Sequence, residues 1–284
     1  MLSFAFIQSL IETWVVAPTL IAIRATELVF ALSLTLQTLE YLRMGKYTAD
    51  DAFWSWQLQR ADIPNAPVRA LLDVLFKPRM HQLHLVLRLC AAILLAVQGA
   101  SLLLIGFLFV GNLLILIRWR GAFNGGSDFL TLVVLTGLFI SQVVGAFGNA
   151  QLGWQAGFWY IAIQAITSYF MSGAVKLLRP EWRNGSAMTI FLNGAIYGPL
   201  SATHPLRNKW LAMMGSWGFI VWEILFPLSL LDPRLASLFC AVAAFFHFLV
   251  FWFFGLNRFF WAWLCAFPAI IWCSTQFSAR VLSL

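Results

Sequence analysis

Long apolar runs broken by short polar segments set the pattern of this chain, and the runs show no strict alternation of polar and apolar positions. Such runs favour helices over the strands of a membrane barrel, because a helix pairs its own backbone N–H and C=O groups. Eight of them are of membrane-spanning character: 19–39, 83–99, 101–117, 129–147, 158–178, 210–231, 235–254 and 259–272. The expected fold class is all-α, a polytopic transmembrane helical bundle of about eight spans in which residues 1–284 form a single transmembrane domain.

The polar segments add detail. Residues 1–17 either lie flat in the interface or extend the first span, with Pro18 the expected break between the two. Glu12 and the lack of a basic n-region predict that the first helix is retained, not removed as a signal peptide. In the long polar segment 43–81, the stretch DDAFWSWQLQR offers Asp50 as an N-capping acid before Phe53, Trp54 and Trp56. It predicts a short interfacial helix with its aromatics at headgroup depth. Segment 118–128 reads as a loop whose Asp128 caps the next helix. In 179–209, Gly198, Pro199 and Pro205 argue against a crossing by the apolar patch 187–197, which leaves a re-entrant or interfacial element.

Composition excludes a soluble chain: 61% of residues are hydrophobic and 10% charged, with a mean hydropathy of +0.83. The net charge of +7 would suggest nucleic acid in a soluble protein, but here the basic residues sit between apolar runs, where they meet lipid headgroups. Segments 43–81, 118–128, 176–209 and 256–258 share one side and hold nearly all Lys and Arg, against Arg234 and Arg280 on the other. The positive-inside rule then puts both termini outside, with the bacterial cytoplasmic membrane as the expected setting. Cys90, Cys240, Cys265 and Cys273 lie in apolar runs without metal-binding spacing and read as small core residues.

Candidate chemistry centres on Lys176, in the last turn of the fifth span, where an ammonium either snorkels to the headgroups or is held for a purpose. Tyr160, Gln164, Ser168, Ser172 and Lys176 step by four along that span. The strip drifts about 40° per step, and it serves either as a ligand-facing surface or as glue between helices. Glu223 in WEILFP is expected near mid-membrane, with its carbonyl freed by Pro227 four residues on. His247 lies at similar depth and could share a proton with Glu223 or simply pack. Arg24 and Glu27, three apart, could neutralise one another. Arg118, Arg120, Arg179 and Arg183 share the side of Lys176 and could hold a carboxylate or phosphate headgroup, or merely touch lipid.

The stretches YFMSGAVKLLRPEWRNGSA, WEILFPL and FFHFLVFWFFGLNRF resemble the HTTM family, the transmembrane domain shared with vitamin K-dependent γ-carboxylases. PTLIAIRATELVFAL and RWRGAFNGGSDFL resemble it more loosely, so the likeness spans about residues 17 to 275. A weaker similarity to lipase maturation factors rests on the span-ending lysine and the downstream Trp182-Arg183. The carboxylase resemblance implies a bundle binding a quinone or hydroquinone, with Lys176 as base, and an N-terminus on the cytoplasmic side, opposite to the charge count. Two departures argue against the γ-carboxylase reaction itself. The chain ends at Leu284 without a large soluble domain, and Gly125-Gly126-Ser127-Asp128 stands where carboxylases have Asn-His.

Three functions follow as expectations. The first is quinone or related lipid binding for redox or proton-transfer chemistry, with Lys176, Glu223 and His247 reacting and with Tyr160, Gln164, Ser168, Ser172, Trp182 and Arg183 around the ligand. The second is a non-catalytic subunit of a larger membrane complex, and the third a maturation factor for an exported client. Membrane lipids are expected partners in each, and nucleic acid in none.

Overall fold

The computed structural model describes residues 4–49, 51–52, 54–119 and 125–281, with side chains from Thr19 to Arg280. Asp50, Phe53 and Arg120, named above, lie outside them. Thirteen α-helices follow in order: α1 (Phe4–Arg43), α2 (Trp56–Gln59), α3 (Ala66–Leu75), α4 (Pro78–Gln98), α5 (Leu102–Trp119), α6 (Gly125–Phe147), α7 (Ala150–Leu178), α8 (Pro180–Arg183), α9 (Ser186–Asn193), α10 (Lys209–Leu225), α11 (Pro233–Phe254), α12 (Asn257–Leu264) and α13 (Phe267–Val281). Among the described residues, eight stretches are long and apolar enough to cross a membrane, in the order anticipated from hydropathy. The protein is an all-α bundle integral to a membrane. α1 runs without a break through Pro18, so residues 4–17 extend the first span.

Burial does not follow hydropathy. The last span, Asn257–Arg280, has the lowest mean hydropathy, 1.2, and is 56% buried, whereas Pro233–Phe254, at 2.1, is 22% buried. The bundle is closed by the span that could least afford lipid contact. That span is bent, because α12 ends at Leu264 and α13 restarts at Phe267.

α6 and α7 form the closest helix pair through small residues. Gly137, Ser141 and Gly145 on α6 face Gly153 and Gly157 on α7, and a Cβ at Gly157 would fall inside Ser141 Oγ. This small-residue seam fixes α7. On its opposite side Gly173 meets α10, where a Cβ would lie 2.8 Å from the Ile224 amide and 2.9 Å from Glu223 Cβ.

Outside the spans, the 43–78 segment is packed more tightly than an interfacial helix requires. Trp56 is 4% exposed and joins Leu72 and Phe76 in a satellite core. Its indole donates to Asp73 at 2.7 Å. Arg118, 1% exposed, donates to the carbonyls of Trp54 at 2.9 Å and Thr48 at 3.2 Å, which pins this segment to α5 in place of contacting lipid. Asp128 lies inside the first turn of α6, not at its cap, and faces Arg258 at 3.8 Å. Residues 186–197 form α9 and a turn with Ile190, Phe191, Ile196 and Tyr197 exposed; they do not cross.

Candidate functional site

α7 presents Tyr169, Ser172, Gly173 and Lys176 on one face, at the i, i+3, i+4 and i+7 positions of a helix. Lys176 does not snorkel. Its Nζ donates to Glu223 Oε1 at 2.8 Å, to Glu223 Oε2 at 2.7 Å and to Ser172 Oγ at 2.6 Å, and Ser172 also reaches Glu223 Oε1 at 3.2 Å. The two charged side chains are 16% and 3% exposed. Gly173 makes this possible, because any side chain there would hold α10 away from α7. The Trp182 ring covers the ammonium at 5.1 Å, a cation–π contact supplied by the turn after α7. That turn is clasped to α10, since Ser216 Oγ donates to the Trp182 carbonyl.

Glu223 lies level with the last turn of α7, and the α10 residues before it, roughly 20 Å of helix from Lys209 to Glu223, extend beyond that turn. The 179–208 segment climbs along α10 before turning back, with Gly185 against Met213 and the Trp182 and Arg183 carbonyls bonded to Ser216 and Trp217. The Glu223 carbonyl is not free. The helix tightens into a 3-10 turn over Phe226–Leu230, and the Phe226 N–H takes the acceptor that Pro227 cannot serve.

His247 does not meet Glu223. Its Nε2 pairs with the Tyr169 hydroxyl at 2.7 Å, and its ring stacks on Trp263 at 4.8 Å and 19°. Tyr169 is 2% exposed, stacked on Phe226 at 4.0 Å and touched at its edge by Trp222 at 5.3 Å. The site thus has two layers joined by α7, with Lys176–Glu223–Ser172 towards the basic end and Tyr169–His247 one to two turns deeper.

The strip stepping by four divides between them and the remaining core. Ser172 and Lys176 enter the site; Ser168 bonds back to the Gln164 carbonyl at 2.7 Å, Gln164 is half-buried, and Tyr160 packs against the apolar core. The drift of about 40° per step rotates the lower residues off this face. The exposed Arg183 contributes its carbonyl, which accepts from Trp217 Nε1 at 3.0 Å, but no side-chain contact. Arg179 is exposed as well. Tyr169 was the residue overlooked, although its place three before Ser172 and seven before Lys176 marks it as facing the same way.

Among the described residues there is no cluster of three or more His, Cys, Asp or Glu able to hold a metal ion. Comparison with family models, curated proteins and solved structures finds no match to this chain.

Proposed function

We propose that this integral membrane protein binds a quinone or related lipid beside Tyr169 and His247 and exchanges a proton with it through the Lys176–Glu223 pair. One observation carries the reading. Around Tyr169, three buried aromatic nitrogens have no hydrogen-bond partner among the described residues: Trp222 Nε1, His247 Nδ1 and Trp263 Nε1. Three such groups in an aromatic setting suit the oxygens of a flat ligand, and one α7 face joins them to the ion pair.

A quinone, when bound, supplies a two-electron, two-proton couple. The indole N–H groups of Trp222 and Trp263 and the imidazole of His247 would orient its oxygens. Lys176 Nζ holds a proton that Glu223 can accept or return, Ser172 Oγ keeps the amine turned towards Glu223, and Trp182 limits water access. The resemblance to the transmembrane domain of vitamin K-dependent γ-carboxylases, which implies Lys176 as base, belongs to this proposal; γ-carboxylation does not.

A second reading is favoured by one feature: Lys176 already has three acceptors, so the pair could act only as a lock between α7 and α10. The chain would then be an assembly subunit or a maturation factor for an exported client. Organic extraction of the purified protein, followed by an oxidised-minus-reduced ultraviolet spectrum, separates the two. A stoichiometric quinone signature lost in Lys176→Ala is the expected result. Stoichiometric co-purification with another membrane complex, unaffected by Lys176→Ala, would replace the proposal with the second reading.

A further inference from the structure

Arg88 stands at the midpoint of α4 and is 0% exposed. Its Nη1 donates to Thr38 Oγ1 at 2.6 Å, and its Nη2 to Gln37 Oε1 at 2.5 Å and to Asn112 Oδ1 at 3.3 Å. All three acceptors are neutral. The nearby carboxylates of Glu40 and Asp128 both face Arg258, at 3.3 Å and 3.8 Å. Among the described residues, none lies within ion-pair distance of Arg88.

Three polar nitrogens beside this guanidinium are buried without a hydrogen-bond partner: Arg88 Nε, Asn112 Nδ2 and His84 Nε2. They lie on one seam. His84 is one turn before Arg88 on α4, and it rests against Gly111, the neighbour of Asn112 on α5, where a Cβ would be 2.7 Å from His84 Nε2. Arg88 Nε and Asn112 Nδ2 can only donate, so they cannot satisfy one another; His84 Nε2 donates in one of its two neutral tautomers. Water would satisfy these donors, but an anion does so while also meeting a guanidinium whose direct acceptors are all neutral.

We infer that the seam between α4 and α5 binds a small monoanion, of the size of chloride or formate, against Arg88 Nε, Asn112 Nδ2 and His84 Nε2. The small size follows from burial, since Arg88 is 0% exposed and the three donor atoms are themselves out of contact with solvent. Such an anion meets the Arg88 guanidinium and accepts from the free donors together. The site is separate from Lys176 and Glu223 and does not depend on the quinone proposal.

The test is thermal unfolding of the purified protein in detergent at constant ionic strength, with sodium gluconate replaced stepwise by sodium chloride or sodium formate. Gluconate is too bulky for the seam. A midpoint rise on the order of 5 °C is expected at about 100 times the dissociation constant. Asn112→Asp places a carboxylate where the anion would sit and should lower the apparent affinity at least tenfold; Arg88→Met should abolish the response. If Arg88→Met does not fold, Asn112→Asp decides where the anion binds. A wild-type protein indifferent to both anions, or a full response in Asn112→Asp, overturns the inference.

Discussion

Glu27 and Glu223 are each 3% exposed and bound to a cation inside the bundle, but their remaining partners differ in kind. Glu27 Oε2 meets Arg24 at 2.5 Å and its Oε1 accepts from the Ala100 amide at 2.7 Å, while Arg24 reaches the Ala96 carbonyl at 2.7 Å. Gly99, at φ 83°, lets the α4–α5 turn close over this carboxylate, since a Cβ there would lie 3.1 Å from Glu27 Oε1. Glu223, in contrast, accepts among the described residues only from the side chains of Lys176 and Ser172. Backbone partners move only when the turn opens, whereas side-chain partners can rotate away and return. The first carboxylate therefore fixes a turn, and the second is built so that a proton or a ligand can take a partner's place.

The largest effect should come from the fixed pair. Glu27→Leu leaves the Ala100 amide unpaired and Arg24 without its carboxylate, and should cost about 3 kcal/mol in denaturant unfolding in detergent. The combined replacement Lys176→Met with Glu223→Leu removes both charges and should be nearly neutral, within about 1 kcal/mol, because well-packed apolar residues often substitute for a buried ion pair. Bound quinone should be lost with it. A double variant as unstable as Glu27→Leu would erase the distinction between the two carboxylates.

Next in size is Gly173→Val. The added atoms collide with the Ile224 amide and Glu223 Cβ, which should cost about 2 kcal/mol and separate Lys176 from Glu223. The same substitution sharpens the comparison, because it breaks the ion pair without touching either charge. Loss of the quinone signature with both charges present would show that proximity matters; its retention would argue that the pair is dispensable for binding.

Much of this contrast was legible before any coordinates. Hydropathy alone located the eight spans, because each has to bury a full set of backbone bonds in lipid. The i, i+3 spacing of Arg24 and Glu27 announced their pairing, and the span-ending position of Lys176 singled it out. What could not be read was the vertical register of α10 against α7. Depth counted along the chain assumes that neighbouring spans start level, and α10 starts beyond the end of α7, so Glu223 meets Lys176 in place of His247. Register is set by Gly173 and by the clasp from Ser216 to Trp182, long-range contacts that leave no periodic trace in sequence. Arg88 is a different case: an arginine in mid-span is a signal in itself, but its partners Gln37, Thr38 and Asn112 come from other helices.

Trp182→Leu should have a smaller effect, about 0.5–1 kcal/mol, through loss of the ring over Lys176 Nζ. Its larger consequence is expected in access. Amine-reactive labelling of Lys176, read by mass spectrometry, should accelerate in the variant relative to the exposed Lys209. An unchanged ratio would mean that Glu223, not the ring, protects the amine.

The smallest effect concerns a third carboxylate, Asp73, which lies outside the spans and supplies the solvent-side reference for the other two. It accepts from Arg60 Nη2 at 2.7 Å, from Arg60 Nε at 3.0 Å and from Trp56 Nε1 at 2.7 Å. The Arg60 hydrogen bonds first, then that of Trp56, hold its pKa down at about 2, below the ordinary 3.8. The folded value is the lower one, so the stabilisation is fully present above pH of about 4 and disappears as pH falls through about 2. Hydrogen exchange over residues 54–77, corrected for intrinsic rates, should therefore accelerate between those limits while the spans stay protected, and Asp73→Asn should remove the pH dependence. If the spans lose protection together with this segment, Asp73 does not act locally, and all three carboxylates belong to one cooperative unit.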